Sequence, residues 1–316
     1  MSRKKFLLYI FIIASSFSFS QTYEDVLRYN SFSHEGTSRF NSMGGAFGAL
    51  GGDVSAISIN PASSSVFLDS EIAISLNYKN QKINNILNSS KSKSKNDLFS
   101  FGGLGAVLVY ENKKSKLSVG YNLNILGDFN SSFRLSGNNN NGIDSYFLYY
   151  ADGIPSEDLL IYEDETTQSV YKYLGNNYGF ADQQAFLGYQ SYVINQAGED
   201  SNNYISNSSY NNLNQNLEVT RIGNHLKHSV NLGTSFNKNL FAGVNINYHE
   251  TNFEETKTFQ ENGYADDSKV ERVLLKENLL ALGNGISIQI GTIVKIKQLR
   301  LGISYTSPTE LKIAEE

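Results

Sequence analysis

The chain of 316 residues contains no cysteine. It therefore forms no disulfides, and no acylated cysteine anchors it as a lipoprotein. Tryptophan is also absent, although the other aromatic residues are abundant, with 20 tyrosines and 19 phenylalanines. Without cross-links, an exported chain of this length needs an extensive hydrogen-bonded sheet to hold it together. The aromatic residues suit the interfacial girdles of a membrane barrel, and they suit the strands of an aromatic-rich soluble sheet equally well.

Long hydrophobic runs are missing as well. Residues 1–20 resemble a signal peptide, with Arg3, Lys4 and Lys5 before the apolar run 6–14, and we expect cleavage before Gln21. The nine apolar residues of this run are too few to span a bilayer, which takes about 20 in a helix. No later run approaches that length, so the pattern predicts an exported chain without membrane helices. Transmembrane β-strands, which show only alternating hydrophobicity, stay compatible with it.

Positive charge and catalytic material are scarce. The formal charge is −5, and removal of the three basic residues of the signal segment makes it −8, which argues against nucleic acid as a partner. The chain has four histidines but no phosphate-binding glycine motif and no nucleophile elbow. His225 and His228 lie three apart on a predicted strand and so point to opposite faces. We therefore expect no enzyme activity, no cofactor and no metal site.

One stretch is unusually rich in glycine and small residues. It runs over 36–67 and contains Asn60-Pro61-Ala62 near its end. Glycine at this density favours a compact set of turns and short helical pieces over a regular strand. The sequence therefore predicts an N-terminal plug over 21–67, separate from the remainder of the chain, 68–316.

After residue 67 the sequence alternates between apolar and small or polar residues, which predicts seven antiparallel strands. Lys79 to Asn96, which includes Lys91, Lys93 and Lys95, is interpreted as a solvated polar connection. A soluble sandwich gives the same alternation. The lengths of the connections favour a membrane barrel, because short turns such as 237–239 and 297–298 alternate with longer segments. The fold class predicted is all-β, a transmembrane antiparallel β-barrel with an N-terminal hatch.

The longest connection spans about 127–215 and is rich in asparagine, serine and tyrosine. We interpret it as a large external loop with an apolar inner face; the alternative is a disordered insertion. Phe186, Tyr189 and Val193 follow i, i+3, i+7 spacing, which indicates a short amphipathic helix over 185–194. Seven strands are an odd number for a closed bacterial barrel, so we expect the chain to be the N-terminal part of a longer barrel.

Several motifs resemble the FadL/TodX family of outer-membrane transporters for hydrophobic compounds. Gly44 to Ala49, Asp53 and Ile57 to Ala62 are similar to the N-terminal hatch of that family and its Asn-Pro-Ala box. Arg300 to Pro308 resembles a family strand that ends in a Ser/Thr-Pro element. The likeness covers the mature chain in order and corresponds to about the first half of the family's fourteen-stranded barrel.

The resemblance implies a monomeric barrel in the cell outer membrane, closed by the hatch. Ligand would enter an external groove and leave sideways into outer-membrane lipid through a gap at a kinked third strand. Gly127 is the candidate for this kink, with Asn60, Pro61 and Ala62 beside the exit; alternatively, Gly127 simply ends its strand. The implied function is passive uptake of long-chain fatty acids or other hydrophobic molecules.

Candidate ligand contacts follow from the same resemblance. The external groove would be lined by residues of the long loop: Phe186, Leu187, Tyr189, Tyr192 and Val193. Arg300, which faces the lumen in the predicted register, is the candidate partner for a carboxylate, although lumen arginines also pair with local acids. Two other functions stay open: a barrel that serves protein secretion or surface attachment, and a heme receptor that uses a histidine such as His249.

Overall fold

A computed structural model describes residues 27–29, 35–111, 115–198 and 202–315. More than half of these residues lie in β-strands, so the expectation of an all-β fold is confirmed. The predicted signal segment, 1–20, lies outside the described residues. The strands are β1 (Glu71–Leu87), β2 (Ser90–Glu111), β3 (Ser115–Asp128), β4 (Ser131–Asn139), β5 (Ile194–Gln196), β6 (Tyr204–Ser206), β7 (Leu213–Phe236), β8 (Leu240–Asn262), β9 (Arg272–Ile296), β10 (Leu299–Thr306) and β11 (Glu310–Glu315).

The main sheet is antiparallel and curls into half of a barrel. Its order is β1-β2-β3-β7-β8-β9-β10, so neighbours in the sheet are also consecutive along the chain once the long insertion after β3 is set aside. β4 pairs with β7 and continues the line of β3, and β11 pairs with β9 and continues the line of β10. The described sheet therefore has seven strand positions, two of which are occupied by interrupted strands.

The strands are longer than the sequence pattern predicts. β1 and β2 pair from Glu71 opposite Val107 to Leu87 opposite Ser90, so the interpretation of Lys79 to Asn96 as a loop is wrong. Its alternating serine and lysine residues have the period of a strand, with one side chain to each face. β9 likewise begins at Arg272, well before the first apolar alternation near Gly285.

The two faces of the sheet differ in chemistry. The convex face exposes apolar side chains in a continuous band, which includes Ile72, Ile74, Leu76, Tyr78, Phe99, Leu108, Val119, Val230, Leu232, Ile246, Ile286, Ile288, Ile290, Leu301, Ile303 and Tyr305. The concave face buries polar side chains, which include Ser118, Asn122, Asn124, Ser229, Asn231, Asn245, Asn247, His249, Ser287 and Gln289. Apolar side chains therefore point outward and polar side chains inward, as a membrane barrel requires.

Short helical turns fill the concave side. They are α1 (Ser38–Ser42) and two 3₁₀ helices, Val54–Ser58 and Pro61–Val66. Side chains of the wall donate to backbone oxygens of these turns: Asn231 Nδ2 to Pro61 O at 2.9 Å, Asn245 Nδ2 to Ile57 O at 2.9 Å and Gln289 Nε2 to Ile59 O at 3.0 Å. The polar inner face thus binds the carbonyl groups that the short helices leave unpaired. We refer to residues 35–67 as the plug.

Glycines in the wall let the plug approach the strands closely. A Cβ atom at Gly243 would overlap the backbone of Pro61, and one at Gly291 would overlap the side chain of Asn60. Both glycines lie on the concave face of neighbouring strands, β8 and β9, and are directly opposite each other in the register. The absence of a side chain at this pair therefore makes room for the Asn-Pro turn of the plug.

The long insertion folds into a helical cap (residues 143–198). It contains α2 (Asp144–Ala151), a 3₁₀ helix (Ser156–Leu159), α3 (Thr167–Asn177), α4 (Phe180–Gln190) and the strand β5, which pairs with β6. Its apolar core continues onto Phe259, Val273 and Leu275 of the sheet. The predicted helix over 185–194 begins earlier and stops at Gln190, because Tyr192 has a positive φ of 58°. No described helix is long and apolar enough to cross a lipid bilayer.

Candidate functional site

The third strand of the wall is interrupted. A register shift between Ile125 and Gly127 precedes the end of β3 at Asp128, and the chain resumes at Ser131 as β4. β3 pairs with both β2 and β7, whereas β4 pairs with β7 alone. In the described sheet the backbone ladder on the β2 side therefore stops at the interruption, which leaves a gap between β2 and β4.

Side chains bridge this gap in place of the ladder. On the β2 side, Asn96 Nδ2 donates to Ser132 O at 2.7 Å and Ser92 Oγ donates to Arg134 O at 2.8 Å. In return, the Arg134 amide donates to Ser94 Oγ at 3.0 Å. Such bonds satisfy the free edge of β4, and they can break one by one without the loss of a continuous ladder. The gap is thus closed by contacts that are weaker than strand pairing.

A cavity of about 710 Å³ lies at the interruption. It is lined by Leu27, Arg28, Glu35, Lys79, Gln81, Gly127, Asp128, Phe129, Asn130, Ser131, Arg221 and Phe253. Its apolar wall is built by Phe129, whose ring meets that of Phe253 edge to face at 5.4 Å. The Arg28 guanidinium stands 4.1 Å above the Phe253 ring, a cation–π contact. The cavity is therefore amphipathic, with aromatic surface next to charged groups.

One ion-pair cluster connects the plug to two strands across this cavity. Lys79 Nζ lies 2.7 Å from Glu35 Oε1 of the plug and 3.0 Å from Asp128 Oδ2 at the end of β3. Burial raises the pKa of Asp128, but bonds from Lys79 and Asn130 outweigh it, so the pKa lies below its usual range. Asp128 is therefore ionised at neutral pH and keeps Lys79 beside the interruption.

A second cluster stands on β7 and β8. Arg221 Nε lies 2.5 Å from Glu255 Oε2, and Lys257 Nζ lies 3.1 Å from Glu255 Oε1. Burial alone would raise the pKa of the Glu255 carboxyl. The bonds from both cations lower this pKa by more than burial raises it, so the pKa lies below its usual range. The charged groups of Lys79 and Arg221 therefore each have an acidic partner within the site.

A smaller cavity of about 370 Å³ lies where the helical cap meets the sheet. It is lined by Asn139, Asn141, Gly142, Ile143, Ser145, Tyr146, Gln215, Leu217, Lys257, Phe259, Leu275 and Glu277. Side chains of Tyr146, Leu217, Phe259 and Leu275 make it more apolar than the cavity at the interruption. It has the character of a site for an apolar ligand.

A buried carboxylate fixes the cap beside this smaller cavity. Glu261 is fully buried; its two oxygens accept from the Ile143 amide at 3.2 Å, and one accepts from Gln215 Nε2 at 2.6 Å. Tyr264 also donates its hydroxyl to Glu261. Burial, followed by this bond and the charge of Glu261, raises the pKa of Tyr264. Glu261 thus ties the first turn of the cap to β7 and β8.

Comparison with known proteins provides no functional evidence, so the function is argued from the geometry of the two cavities. No family model, curated protein or solved structure matches the chain. The resemblance to the FadL/TodX family therefore stays a prediction.

The predicted groove residues belong to the cap. Phe186 and Val193 are buried in its core, and Leu187 and Tyr189 pack at the edge of that core. Tyr192 is 72% exposed. None of the five lines either cavity, because the helix that carries Phe186 turns its apolar side toward α2 and the other cap elements. As ligand contacts they stay predictions.

The Asn-Pro-Ala box is a structural anchor of the plug. Asn60 Oδ1 accepts from the Ala62 amide at 3.0 Å, and Asn60 Nδ2 donates to Thr292 O of β9 at 3.2 Å. Pro61 begins the second 3₁₀ helix. The box lies beside β7, β8 and β9, whereas Gly127 lies at the far end of β3 from the plug contact at Ser118. The structure therefore does not bring Asn60, Pro61 and Ala62 together with Gly127.

The other predicted side chains are engaged inside the wall. Arg300 Nη1 donates to Leu50 O of the plug at 2.6 Å. His225 Nε2 lies 3.2 Å from His249 Nδ1, and His249 Nε2 lies 3.2 Å from Ser287 Oγ. His228 points to the other face, where its Nδ1 lies 2.8 Å from the Tyr121 hydroxyl. Among the described residues, no cluster of three or more histidine or acidic side chains could hold a metal ion.

Sequence reasoning missed most of the cavity at the interruption. Lys79, Asp128, Arg221 and Phe253 come from four strands, and none of them stands in a local motif. Their only common signal in the sequence is that each lies beyond the apolar part of its strand. Which of them share a cavity depends on the strand registers and on the break in β3.

Proposed function

We propose that the protein is an outer-membrane channel for the passive uptake of long-chain fatty acids or other hydrophobic molecules, with sideways release at the interrupted third strand. The observation that carries the proposal is the 710 Å³ amphipathic cavity at this interruption, next to the gap between β2 and β4. A regular barrel wall offers no such exit, because its ladder is continuous.

The separation of the two faces supports a membrane location. The convex band of exposed isoleucine, leucine and tyrosine side chains matches lipid, and the polar concave face is filled by the plug. A plug held by hydrogen bonds to the wall blocks free diffusion of water and ions. Hydrophobic cargo would therefore leave through the wall at the gap between β2 and β4.

The two cavities suggest an order of binding. The cavity below the cap is the more apolar one and lies on the external side, and the cavity at the interruption adds charged groups. Each methylene group that leaves water contributes roughly 0.8 kcal/mol, so a long alkyl chain needs few polar contacts. An amphipathic molecule would then place its polar end among Lys79, Asp128 and Arg221.

A reversible lock across the gap tests the proposal. The double variant Ser90→Cys/Gly137→Cys joins β2 to β4, because a Cβ atom at Gly137 would lie against the Cβ of Ser90, and the chain has no other cysteine. In the full-length protein in cells, we expect uptake of a radiolabelled long-chain fatty acid to fall at least about tenfold when the disulfide forms, since release needs the gap to open. Reduction should restore uptake.

The matched control is Thr234→Cys/Ala242→Cys, which joins directly opposed residues of β7 and β8. These strands share a continuous ladder, so this lock should leave uptake unchanged. Full uptake through the oxidised gap variant would contradict release at this place. If deletion of the gene leaves the uptake of fatty acids, aromatic hydrocarbons and heme unchanged, the transport function itself is wrong.

A further inference from the structure

The hairpin of β1 and β2 carries a row of lysines beyond the apolar band. In the register, Tyr78 lies opposite Phe99, and the next outward-facing pairs are Asn80 with Asp97, Lys82 with Lys95, Asn84 with Lys93 and Ile86 with Lys91. Tyr78 and Phe99 are 67% and 73% exposed and end the apolar band on these strands. We call Lys82, Lys91, Lys93 and Lys95 the lysine face; all four are exposed.

The opposite face of this hairpin is fixed against β4. Asn85 Nδ2 donates to Arg134 O at 2.9 Å, and Asn88 Nδ2 donates to Asn138 O at 2.8 Å. Ser92 and Asn96 make the bonds to β4 described above. Because side chains alternate along a strand, these bonds hold the lysine face on the outer side, away from the gap.

The lysine face carries more positive charge than its surroundings neutralise. Asp97 is the one acidic residue of the hairpin's outward face, and it is bonded by Lys95 Nζ at 2.8 Å and by the Tyr78 hydroxyl at 3.0 Å. In the described part of the chain, Lys82, Lys91 and Lys93 have no acidic side chain within ion-pair distance. Lys82 also stands directly opposite Lys95, and like charges in this position destabilise a strand pair.

The height of the lysines indicates which ligand fits, given the membrane location that the proposed function assumes. With a rise of about 3.3 Å per residue and a tilt of about 45°, Lys82 lies roughly 9 Å above the aromatic end of the band. Lys91 lies roughly 19 Å above it on the same basis. A phospholipid headgroup layer is only about 5–8 Å thick. The row therefore reaches beyond a phospholipid headgroup, to the depth of a larger, sugar-bearing one.

We propose that the lysine face binds a phosphorylated glycolipid of the outer leaflet. Its negatively charged phosphates supply the counter-charge that the protein lacks there, and its acyl chains lie against the adjoining apolar band. Each lysine near an anionic membrane surface contributes to binding, and the contributions of neighbouring lysines add up. The bound lipid would also support the hairpin that closes the gap between β2 and β4.

Binding to lipopolysaccharide tests this assignment. The full-length protein is placed in nanodiscs of phosphatidylcholine with a small fraction of lipopolysaccharide, and the dissociation constant is measured from lipid that stays bound. The variant Lys82→Gln/Lys91→Gln/Lys93→Gln should bind roughly tenfold more weakly, or worse, and lose most of the salt dependence of binding. Its far-UV circular dichroism should equal that of the wild type, since all three side chains are exposed.

The matched control changes the same amount of charge elsewhere, as Lys172→Gln/Lys269→Gln/Lys276→Gln, and should bind within about twofold of the wild type. The proposal would be overturned if both triple variants weakened lipopolysaccharide binding equally, or if neither weakened it. Stronger binding of phosphatidylglycerol than of lipopolysaccharide would overturn the assignment to a larger headgroup, and full competition by millimolar inorganic phosphate would show a free-phosphate site instead. Uptake is measured separately: lipid binding that persists without any transport would refute the proposed function alone.

Discussion

At the scale of single residues, the site is built from ion pairs between distant parts of the chain. Glu255 forms ion pairs with Arg221 of β7 and with Lys257 of its own strand, and Asp128 forms an ion pair with Lys79 of β1. Both carboxyl groups have a pKa below their usual range, because their cationic partners outweigh the effect of burial. A carboxyl whose pKa is lower in the folded state stabilises that state at neutral pH, and this contribution disappears as the pH falls through the folded pKa.

Replacement of Glu255 by glutamine tests this linkage. The variant Glu255→Gln leaves Arg221 without its negative partner and leaves Lys257 with only Glu277, at 4.0 Å. We therefore expect a melting temperature roughly 3–6 °C lower at pH 7. The difference between wild type and variant should be full above the carboxyl's unfolded pKa of about 4.5 and should shrink as the pH falls below it. Thermal unfolding followed by circular dichroism at pH 7, 5 and 3 measures it.

The control for this experiment is Glu254→Gln on the exposed face of the same strand. It removes the same charge without breaking either ion pair, so its effect on the melting temperature should be small at every pH. A Glu255→Gln difference that stays constant from pH 7 to pH 3 would show that the lost contribution is not ionic.

At the scale of elements, alternation predicted the apolar positions and the face of each strand. The outward positions of β1, of the first half of β3 and of the apolar part of β8 are the more exposed ones in the structure, as expected from period-two patterning. β10 is exposed on both faces over most of its length. The ends of the strands were predicted less well, because polar residues continue a strand beyond the apolar band without an apolar signal. The Ser-Lys repeat of β2 is the clearest case.

The plug depends on the missing side chain at Gly243. The variant Gly243→Val places a side chain where the backbone of Pro61 lies, which costs about 1–3 kcal/mol or displaces the plug. We expect amides of 54–66 to exchange hydrogen at least about tenfold faster, as measured by mass spectrometry.

The neighbouring variant Ala242→Val provides the comparison, because residue 242 alternates to the outer face of the same strand. It should leave exchange in the plug unchanged. Equal protection of 54–66 in both variants would contradict the close contact between the plug and β8.

At the scale of the whole molecule, the sheet separates an apolar outside from a polar inside. The exposed band on the convex face continues from β1 through to β10, which is far more apolar surface than a monomeric soluble protein exposes. Polar side chains of the concave face donate hydrogen bonds to backbone oxygens of the plug. β-barrel membrane proteins have the same arrangement of faces.

Under the proposed membrane location, a charge inside the band should weaken membrane insertion. Ile290 lies near the middle of the band on β9 and is 54% exposed. We expect Ile290→Arg to destabilise the inserted protein by about 2–4 kcal/mol, because an arginine at the bilayer midplane loses its hydration. Folding into lipid vesicles, followed by the heat-dependent shift on gel electrophoresis, measures the effect.

Leu274 offers the matched position, since it is equally exposed at 54% and lies on the same strand, sixteen residues away from Ile290. Leu274→Arg should fold into vesicles as the wild type does. If both arginine variants fold equally well, the convex band does not face lipid.

The sequence by itself determined the all-β class and the two faces of the strands, because alternation is a local property. Only the tertiary structure decided how the chain continues after the register shift at Gly127, which charged side chains meet there, and that Asn60 anchors the plug to β9 instead of standing beside Gly127. These features depend on strand registers and on contacts between residues far apart in the chain. A local pattern does not encode such contacts, since each strand can satisfy its own alternation in several registers.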